Sequence, residues 1–200
     1  MTRIYIIPVT LLYQAADLLQ PPERLCFVTG VKLFDGRIIV LTQLIEVDSI
    51  ASRVHVAPYP ASVLRAQQRL LAMGLDIEAQ FHSHPGRTRK ATFPSNIDLT
   101  TARCWETAPF LGAVFSEGGR YVRFFNHSQQ SEVSIHGYCI QTNDPNCFEL
   151  PENGCIAMPT GENQPLRCVA DRQAGEAPVV ESETDSIGLY PYCGMWGPWF

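Results

Sequence analysis

Residues 81–98, FHSHPGRTRKATFPSNID, carry two of the five histidines in this chain of 200 residues. The run DIEAQFHSH over 76–84 predicts a strand, and the run SNIDLTTARCWE beginning at Ser95 predicts a helix. The loop between them contains two prolines and a glycine, which are residues that suit turns. The stretch therefore predicts a strand, a polar loop and a helix whose facing ends can come together.

His82 and His84 lie two positions apart on the predicted strand, so their side chains point to the same face. Two imidazoles on one face can bind a single Zn²⁺ ion, and Asp98 can be the third ligand if the loop folds the chain back. A His-His-Asp set leaves one position for water, which is typical of catalytic rather than structural zinc sites. These residues also have ordinary interpretations, because histidines often pack in strands and Ser95 with Asp98 forms a good helix N-cap. The cap and the metal site are compatible, since a cap fixes where Asp98 points.

A zinc hydrolase also needs a group that moves protons. A carboxylate near the metal-bound water must accept a proton and later deliver it to the leaving amine. The chain contains 20 Asp and Glu residues, and spacing alone does not select one of them for this role.

The order of these residues resembles the motif of the JAMM (JAB1/MPN/Mov34) metalloprotease family. In that motif H-x-H-P is followed by S-x-x-D, as HSHP is followed here by Ser95 and Asp98. The family also carries an upstream glutamate, then a short apolar run and a glycine, and Glu23-RLCFVT-Gly30 is similar to that pattern. The resemblance covers residues 1–137 and fills every functional position of the motif.

The resemblance implies a role for each of these side chains. His82, His84 and Asp98 would hold one catalytic Zn²⁺ ion. Glu23 would act first as general base and then as general acid, and Ser95 would hydrogen-bond the oxyanion of the tetrahedral intermediate. The loop between His84 and Ser95 is longer than is usual in the family.

The lengthened loop brings three basic residues, Arg87, Arg89 and Lys90, beside the expected site. One interpretation is a solvated surface loop. The other is a role in gripping the substrate, because binding residues favour loops that a rigid scaffold positions. A basic rim of this kind would suit an acidic partner surface.

The rest of the chain predicts an α/β (α+β) fold with a mixed β-sheet flanked by helices, and the resemblance implies that the sheet is of the JAMM/MPN type. Asp35-Gly36 predicts a tight hairpin turn, and the last three predicted strands look like a meander. The longest helix should bury one apolar stripe, made of Val63, Leu64, Leu70, Leu71 and Met73. Strands are predicted at 3–9, 24–34, 37–47, 76–84, 110–116, 120–128 and 132–140, and helices at 10–19, 60–75 and from 95 onward.

The predicted domain division places a catalytic domain at 1–137 and a C-terminal extension at 138–200. The extension begins loop-rich over 141–170, continues as an acidic linker over 171–186, and ends in the aromatic run PYCGMWGPWF. That aromatic tail could dock on the body of its own chain or on a partner.

The seven cysteines contain no C-x-x-C pair, which argues against a zinc knuckle or a thioredoxin-like redox pair. Free thiols in a reducing compartment are the simplest interpretation. A second metal site or a disulfide in the extension is the alternative, with Cys147, Cys155 and His136 as its first candidates.

Charge and hydropathy argue against two classes of partner. The net charge of −5 favours neither nucleic acid nor an anionic membrane surface. No apolar run approaches the roughly 18–20 residues that a membrane span requires. The first 23 residues are apolar in places but lack a basic region followed by an uninterrupted apolar region and a small-residue cleavage site, so no signal peptide and a cytoplasmic location are expected.

The resemblance implies a zinc isopeptidase that cleaves after the C-terminal glycine of a ubiquitin-like modifier, either in deconjugation or in precursor processing. Stand-alone prokaryotic members of the family occur in antiphage operons, which implies E1-like and E2-like proteins as further partners. Two alternatives remain open. One is a JAMM hydrolase acting on a sulfur-carrier protein or a small-molecule conjugate, and the other is an MPN scaffold without activity.

Overall fold

The computed structural model describes residues 2–51, 56–104, 111–126, 131–151 and 166–170, with the backbone alone at 103–104 and 166–170. The helices are α1 (Val9–Leu18), α2 (Pro60–Ala72) and α3 (Asn96–Cys104), with a 3₁₀ helix at Arg89–Thr92. The strands are β1 (Arg3–Pro8), β2 (Leu25–Leu33), β3 (Ile38–Glu46), β4 (Ser49–Ala51), β5 (Val56–Pro58), β6 (Ile77–His84), β7 (Leu111–Ser116), β8 (Tyr121–Phe125), β9 (Ser131–His136), β10 (Ile140–Gln141), β11 (Cys147–Glu149) and β12 (Leu166–Ala170).

Ten of these strands form one mixed sheet in the order β10-β11-β8-β7-β6-β2-β3-β1-β9-β12 across the described residues. Strands β6 and β7 pair in parallel, as do β1 and β3 and also β1 and β9, and the other neighbours are antiparallel. Strands β4 and β5 form a separate two-stranded ribbon. The predicted α/β fold, a mixed sheet flanked by a few helices, is therefore confirmed.

The two faces of the sheet carry different helices, because alternate residues of each strand point to opposite sides. On one face, α1 buries Leu12 and Ala15 against a large core that contains Phe81 of β6. On the other face, α2 packs through Val63 and α3 packs through Ala102 in two smaller clusters. His82 and His84 belong to this second face, since they alternate with Phe81.

Two local signals are confirmed by the backbone. Asp35 and Gly36 both have positive φ values of 56° and 78°, as the tight hairpin turn between β2 and β3 requires. Helix α2 ends where Gly74 adopts a φ of 70°, and Leu75 and Gly74 donate to the carbonyls of Leu70 and Leu71. This double hydrogen bond is the Schellman arrangement, for which glycine is the preferred residue.

The predicted meander of the last three strands is wrong. Strands β7 and β8 pair antiparallel as expected, but β9 pairs in parallel with β1 on the far side of the sheet. Val133 and Ile135 of β9 are buried there in the same core as Tyr5 and Ile7 of β1. Alternating apolar residues predict that a strand buries one face, but they do not specify the strand beside it.

The predicted apolar stripe of α2 is only half right. Val63 and Leu70 are buried, whereas Leu64, Leu71 and Met73 are 55%, 66% and 58% exposed. The helix lies on the sheet through a narrow contact that Ser62 and Ala66 share, so its apolar residues do not all face inward.

The sheet continues past residue 137. Strand β11 pairs antiparallel with β8 and buries Phe148, which the sequence had placed in a loop-rich segment. Cys26, Cys139 and Cys147 are buried free thiols, while Cys155 and the aromatic tail lie outside the described residues. The division into two domains stays a prediction. No helix in the described ranges is long and apolar enough to cross a membrane.

Candidate metal centre

Two imidazoles meet at the C-terminal end of β6. The Nε2 atoms of His82 and His84 lie 3.1 Å apart, and the two rings are tilted edge to face with centroids 4.8 Å apart. His82 is 4% exposed and His84 is partly buried. This end of β6 therefore presents two nitrogen donors to one small volume.

Helix α3 brings a carboxylate to the same volume. The backbone N–H of Ser95 donates to Asp98 Oδ2 at 2.6 Å, and the backbone N–H of Asp98 donates to Ser95 Oγ at 3.2 Å. This reciprocal pair is a capping box that fixes the first turn of the helix. The Asp98 oxygens then lie 3.1 Å from Nε2 of His82 and 3.2 Å from Nε2 of His84.

The hydrogen bond on the far side of the His84 ring fixes its tautomer. Nδ1 of His84 lies 3.1 Å from the carbonyl oxygen of Ala91, and a carbonyl can only accept. Nδ1 must therefore carry the hydrogen, and the neutral ring then presents the lone pair of Nε2 to Asp98. A lone pair that faces a carboxylate oxygen requires a cation or a proton between them. A backbone carbonyl on the second nitrogen is the usual way in which proteins orient a metal-binding histidine.

The charges of the site also favour a cation between the three side chains. Burial alone would raise the pKa of Asp98, but the charges and hydrogen bonds of His82 and His84 outweigh it and hold that pKa well below its usual range. Burial alone would lower the pKa of His84, but the Asp98 carboxylate raises it. The pocket thus favours positive charge between the three side chains.

The donor set fits a divalent metal ion. Among the described residues, His82, His84 and Asp98 form a group whose ligand atoms all lie within 4.8 Å of one another. A tetrahedral Zn²⁺ with bonds of about 2.0–2.1 Å separates its ligand atoms by about 3.3 Å, which is close to the spacings found here. Nitrogen with a single carboxylate suits zinc and other first-row metals better than it suits Mg²⁺ or Ca²⁺.

Glu23 lies just before β2, separated from it by Arg24, and β2 is the strand that pairs with the histidine-bearing strand β6. The pairing of Leu25 with His82 places Glu23 opposite His84, just beyond the end of the paired strands. Glu23 is 8% exposed, and this burial raises its pKa to about 7, with a smaller lowering by His84 and a smaller raising by Asp98. Its carboxyl group is therefore close enough to both side chains for their charges to act on it.

Ser83, the residue between the two histidines, holds the segment that carries Glu23. Ser83 is buried and points away from the histidine face. Its backbone N–H donates to the carbonyl of Arg24 at 3.1 Å, and its hydroxyl accepts the backbone N–H of Arg24 at 3.2 Å. These two bonds fix the backbone next to Glu23.

A cavity of about 310 Å³ opens beside Glu23. One wall is formed by the residues that lead into β2, and the other by the end of β3, the segment after it and β4; the end of α1 also lines the cavity. The lining residues are Leu18, Pro22, Glu23, Arg24, Leu25, Glu46, Val47, Ser49 and Ala51.

The structure also places the other candidates. Ser95 is exposed at the start of α3, with its Oγ on the Asp98 N–H and its O–H directed by no other described contact. Of the three basic loop residues, Arg87 pairs with Glu117 at 3.5 Å, while Arg89 and Lys90 belong to the 3₁₀ helix. All three are exposed.

Two supporting groups, the Ser83 hydroxyl and the Ala91 carbonyl, have no signal in the sequence. Ser83 could be read only as the variable position of H-x-H, and a backbone carbonyl carries no residue signature at all. Both act through hydrogen bonds to segments that are distant in the chain or folded by the loop.

No protein-family model and no curated protein sequence matches the chain. Among solved structures, a JAB1/MPN domain protein from Archaeoglobus fulgidus matches it with a TM-score of 0.36 and 14% sequence identity. The match covers 63% of this chain and 86% of the other.

Proposed function

We propose that the protein is a zinc-dependent peptidase of the JAMM type, whose metal is held by His82, His84 and Asp98. The observation that carries this proposal is the convergence of three side chains that could hold a metal ion beside a buried glutamate, whose pKa burial raises to about 7. A general base for a reaction near neutral pH needs a pKa in this range. The H-x-H-P and S-x-x-D pattern of the sequence supports the same assignment.

The metal would polarise the scissile carbonyl and lower the pKa of a water molecule. Glu23 accepts the proton that the attacking water loses, and then delivers it to the leaving amine. The Ser95 O–H, whose oxygen already accepts the Asp98 N–H, is free to donate to the oxyanion that develops on the substrate. The Ala91 carbonyl holds the His84 imidazole in place throughout.

The proposed substrate is the C-terminal tail of a ubiquitin-like modifier, cleaved after its last glycine from a lysine or from a precursor extension. The cavity beside Glu23 supports an extended peptide, because Ser49 and Ala51 of the short strand β4 form one wall. A peptide can add to such a strand edge through main-chain hydrogen bonds. E1-like and E2-like proteins of a conjugation pathway are the proposed further partners, and the cytoplasm is the proposed location.

The central experiment compares Glu23→Gln with Glu149→Gln. Glu149 lies on β11 and pairs with Arg120, so it controls for the loss of one carboxylate elsewhere in the sheet. Glu23→Gln should keep its zinc and lose cleavage of a modifier fusion, whereas Glu149→Gln should retain both. Zinc content is measured by elemental analysis and cleavage by electrophoresis of the fusion. If Glu23→Gln retained cleavage, Glu23 could not be the general base.

A panel of substrates separates the proposal from its alternatives. Fusions of ubiquitin-like proteins, of a sulfur-carrier protein and of small acyl-lysine conjugates are each incubated with the zinc-loaded protein. Cleavage restricted to the last two classes would replace the modifier as substrate. A purified protein that binds no metal and cleaves nothing would instead indicate a scaffold without activity.

A further inference from the structure

A fully buried arginine lies beneath the loop that follows β6. Arg123 of β8 is 1% exposed, and its Nη2 lies 2.7 Å from Oδ2 of Asp144 in an ion pair. Its Nε–H donates to Oγ1 of Thr92 at 3.3 Å, and its guanidinium stacks 3.9 Å from the centre of the Phe93 ring. One cation thus contacts both the end of the 3₁₀ helix and the segment between β10 and β11.

Thr92 connects this arginine to the fold of the loop. Its hydroxyl is buried, accepts from Arg123 and donates to the carbonyl of Arg89 at 2.7 Å. That bond closes the single turn that contains Ala91. The Ala91 carbonyl points the other way, 3.1 Å from Nδ1 of His84. The contacts therefore run without a gap from Arg123 to a histidine of the metal centre.

We propose that Arg123, Asp144 and Thr92 form a positioning device, here called the arginine brace, for the metal-binding face of His84. The brace fixes the 3₁₀ turn, the turn fixes the Ala91 carbonyl, and the carbonyl selects the tautomer whose Nε2 lone pair faces the ion. This inference rests on the proposed metal centre, but not on the identity of the substrate. Arg123 acts through other groups and touches neither the ion nor the substrate.

The chemistry of the brace favours this role over simple sheet stability. Burying a guanidinium is unfavourable unless its partners are fixed in place, and the planar group restricts them to one geometry. Although partial burial alone would raise the pKa of Asp144, its contact with Arg123 holds that pKa below the usual range. The pair is therefore charged, and it ties the loop to one position.

The arginine brace also assigns a structural role to part of the C-terminal extension. Asp144 lies beyond residue 137, in the turn that leads into β11, and its Oδ1 accepts the backbone N–H of Asn146. The backbone N–H of Cys147 donates to the Asp144 carbonyl. The segment around 140–150 therefore supports the metal site indirectly, through the loop between His84 and Ser95. That loop is longer than is usual in the family that the chain resembles.

The test uses substitutions that keep shape and remove one contact. Thr92→Val deletes the hydroxyl, Thr92→Ser retains it, and Asp144→Asn removes the charge that Arg123 faces. Glu149→Gln is the matched control, because its ion pair with Arg120 also joins β11 to the residue before β8 and is partly exposed rather than buried. Arg123 itself is left unchanged, since a cavity at a fully buried arginine can prevent folding.

Two readouts are taken for each variant. Nitrogen-15 NMR of the histidine rings in metal-free protein reports whether His84 carries its hydrogen on Nδ1, and competition with a chelator reports zinc affinity. Thr92→Val and Asp144→Asn should populate the Nε2–H tautomer of His84 and lose about 10-fold or more in zinc affinity, the range expected when an outer hydrogen bond to a ligand is lost. Thr92→Ser and Glu149→Gln should match the unmodified protein in both readouts.

An unchanged tautomer and an unchanged zinc affinity in both Thr92→Val and Asp144→Asn would overturn the brace. Equal losses in Glu149→Gln would also overturn it, because they would indicate general destabilisation of the sheet. Neither readout depends on cleavage of any substrate. A protein that binds zinc through His84 but cleaves no modifier would therefore contradict the proposed function without contradicting the arginine brace.

Discussion

The two ends of β6 both carry buried polar groups, but the buried charge is balanced differently at each end. Glu78 near the start of the strand is 1% exposed and lies 3.1 Å from Nζ of Lys32, which also contacts Asp76 at 2.6 Å. Burial raises the pKa of Glu78 and the lysine opposes that shift. The carboxylate at this end is thus balanced by a cation from the chain itself.

The other end of the strand lacks such a cation among the described residues. Asp98 pairs only with His82 and His84 there, and the tautomer of His84 directs a lone pair toward the carboxylate. A buried carboxylate by itself does not identify a functional site. A buried set of donors that no cation of the described residues balances is a candidate for one, and the set at this end fits a divalent metal.

Removing one carboxylate from each end is the strongest test of this contrast. Asp98→Asn keeps the shape of the helix cap but loses a charged ligand, so zinc affinity should fall by more than the 10- to 100-fold loss of an outer contact, that is by at least about 100-fold. Glu78→Gln should leave zinc affinity within about 2-fold, since Lys32 rather than a metal faces it. Chelator competition measures both. Equal losses in the two variants would refute the contrast.

Zinc should stabilise the fold through the Asp98 end of β6 and not through the Glu78 end. Saturating zinc at about 100 times its dissociation constant should raise the free energy of unfolding by about 2.7 kcal/mol, because only the folded chain assembles the three ligands. Urea unfolding with and without zinc measures the gain. The gain should disappear in Asp98→Asn and persist in Glu78→Gln. Stabilisation of Asp98→Asn by zinc would indicate that the metal binds elsewhere.

The buried Glu23 predicts a dependence of stability on pH in the metal-free protein. Its folded-state pKa of about 7 lies above the ordinary value of 4.5, so the folded chain holds this proton more tightly than the unfolded chain. Its contribution is therefore complete below about pH 4.5 and is lost as the pH rises through about 7. Relative to Glu23→Gln, the unmodified protein should lose roughly 1–3 kcal/mol between pH 4.5 and 8. Urea unfolding at the two pH values measures this, and a constant difference would contradict the raised pKa.

The smallest expected effect concerns the serine between the histidines. Ser83→Ala removes the hydroxyl that accepts the backbone N–H of Arg24, next to Glu23. A neutral hydrogen bond contributes about 1 kcal/mol, so kcat should fall several-fold while zinc affinity stays unchanged. Steady-state kinetics on a modifier fusion, together with chelator competition, separate the two. A loss of zinc affinity as large as the loss in kcat would indicate that Ser83 supports the neighbouring histidines rather than Glu23.

Much of the local structure could be predicted from the sequence. The turn at Asp35-Gly36 and the end of α2 at Gly74 follow from residues that tolerate positive φ. The exposure of Leu64 and Leu71 did not follow, because helical spacing places residues on a face without specifying how wide the contact will be. The partner of β9 did not follow either, since its alternation would suit any neighbouring strand.

The candidate site also combines features that the sequence predicts with features that depend on the tertiary structure. Strand alternation puts His82 and His84 on one face, and the helix cap orients Asp98, so both features are determined within a short stretch of chain. The position of Glu23 beside His84, the Ser83 contact and the buried Arg123 depend on segments that are dozens of residues apart. Short-range spacing encodes backbone periodicity and turns, whereas only the folded sheet decides which distant side chains share one buried volume and which charge is left for a metal to balance.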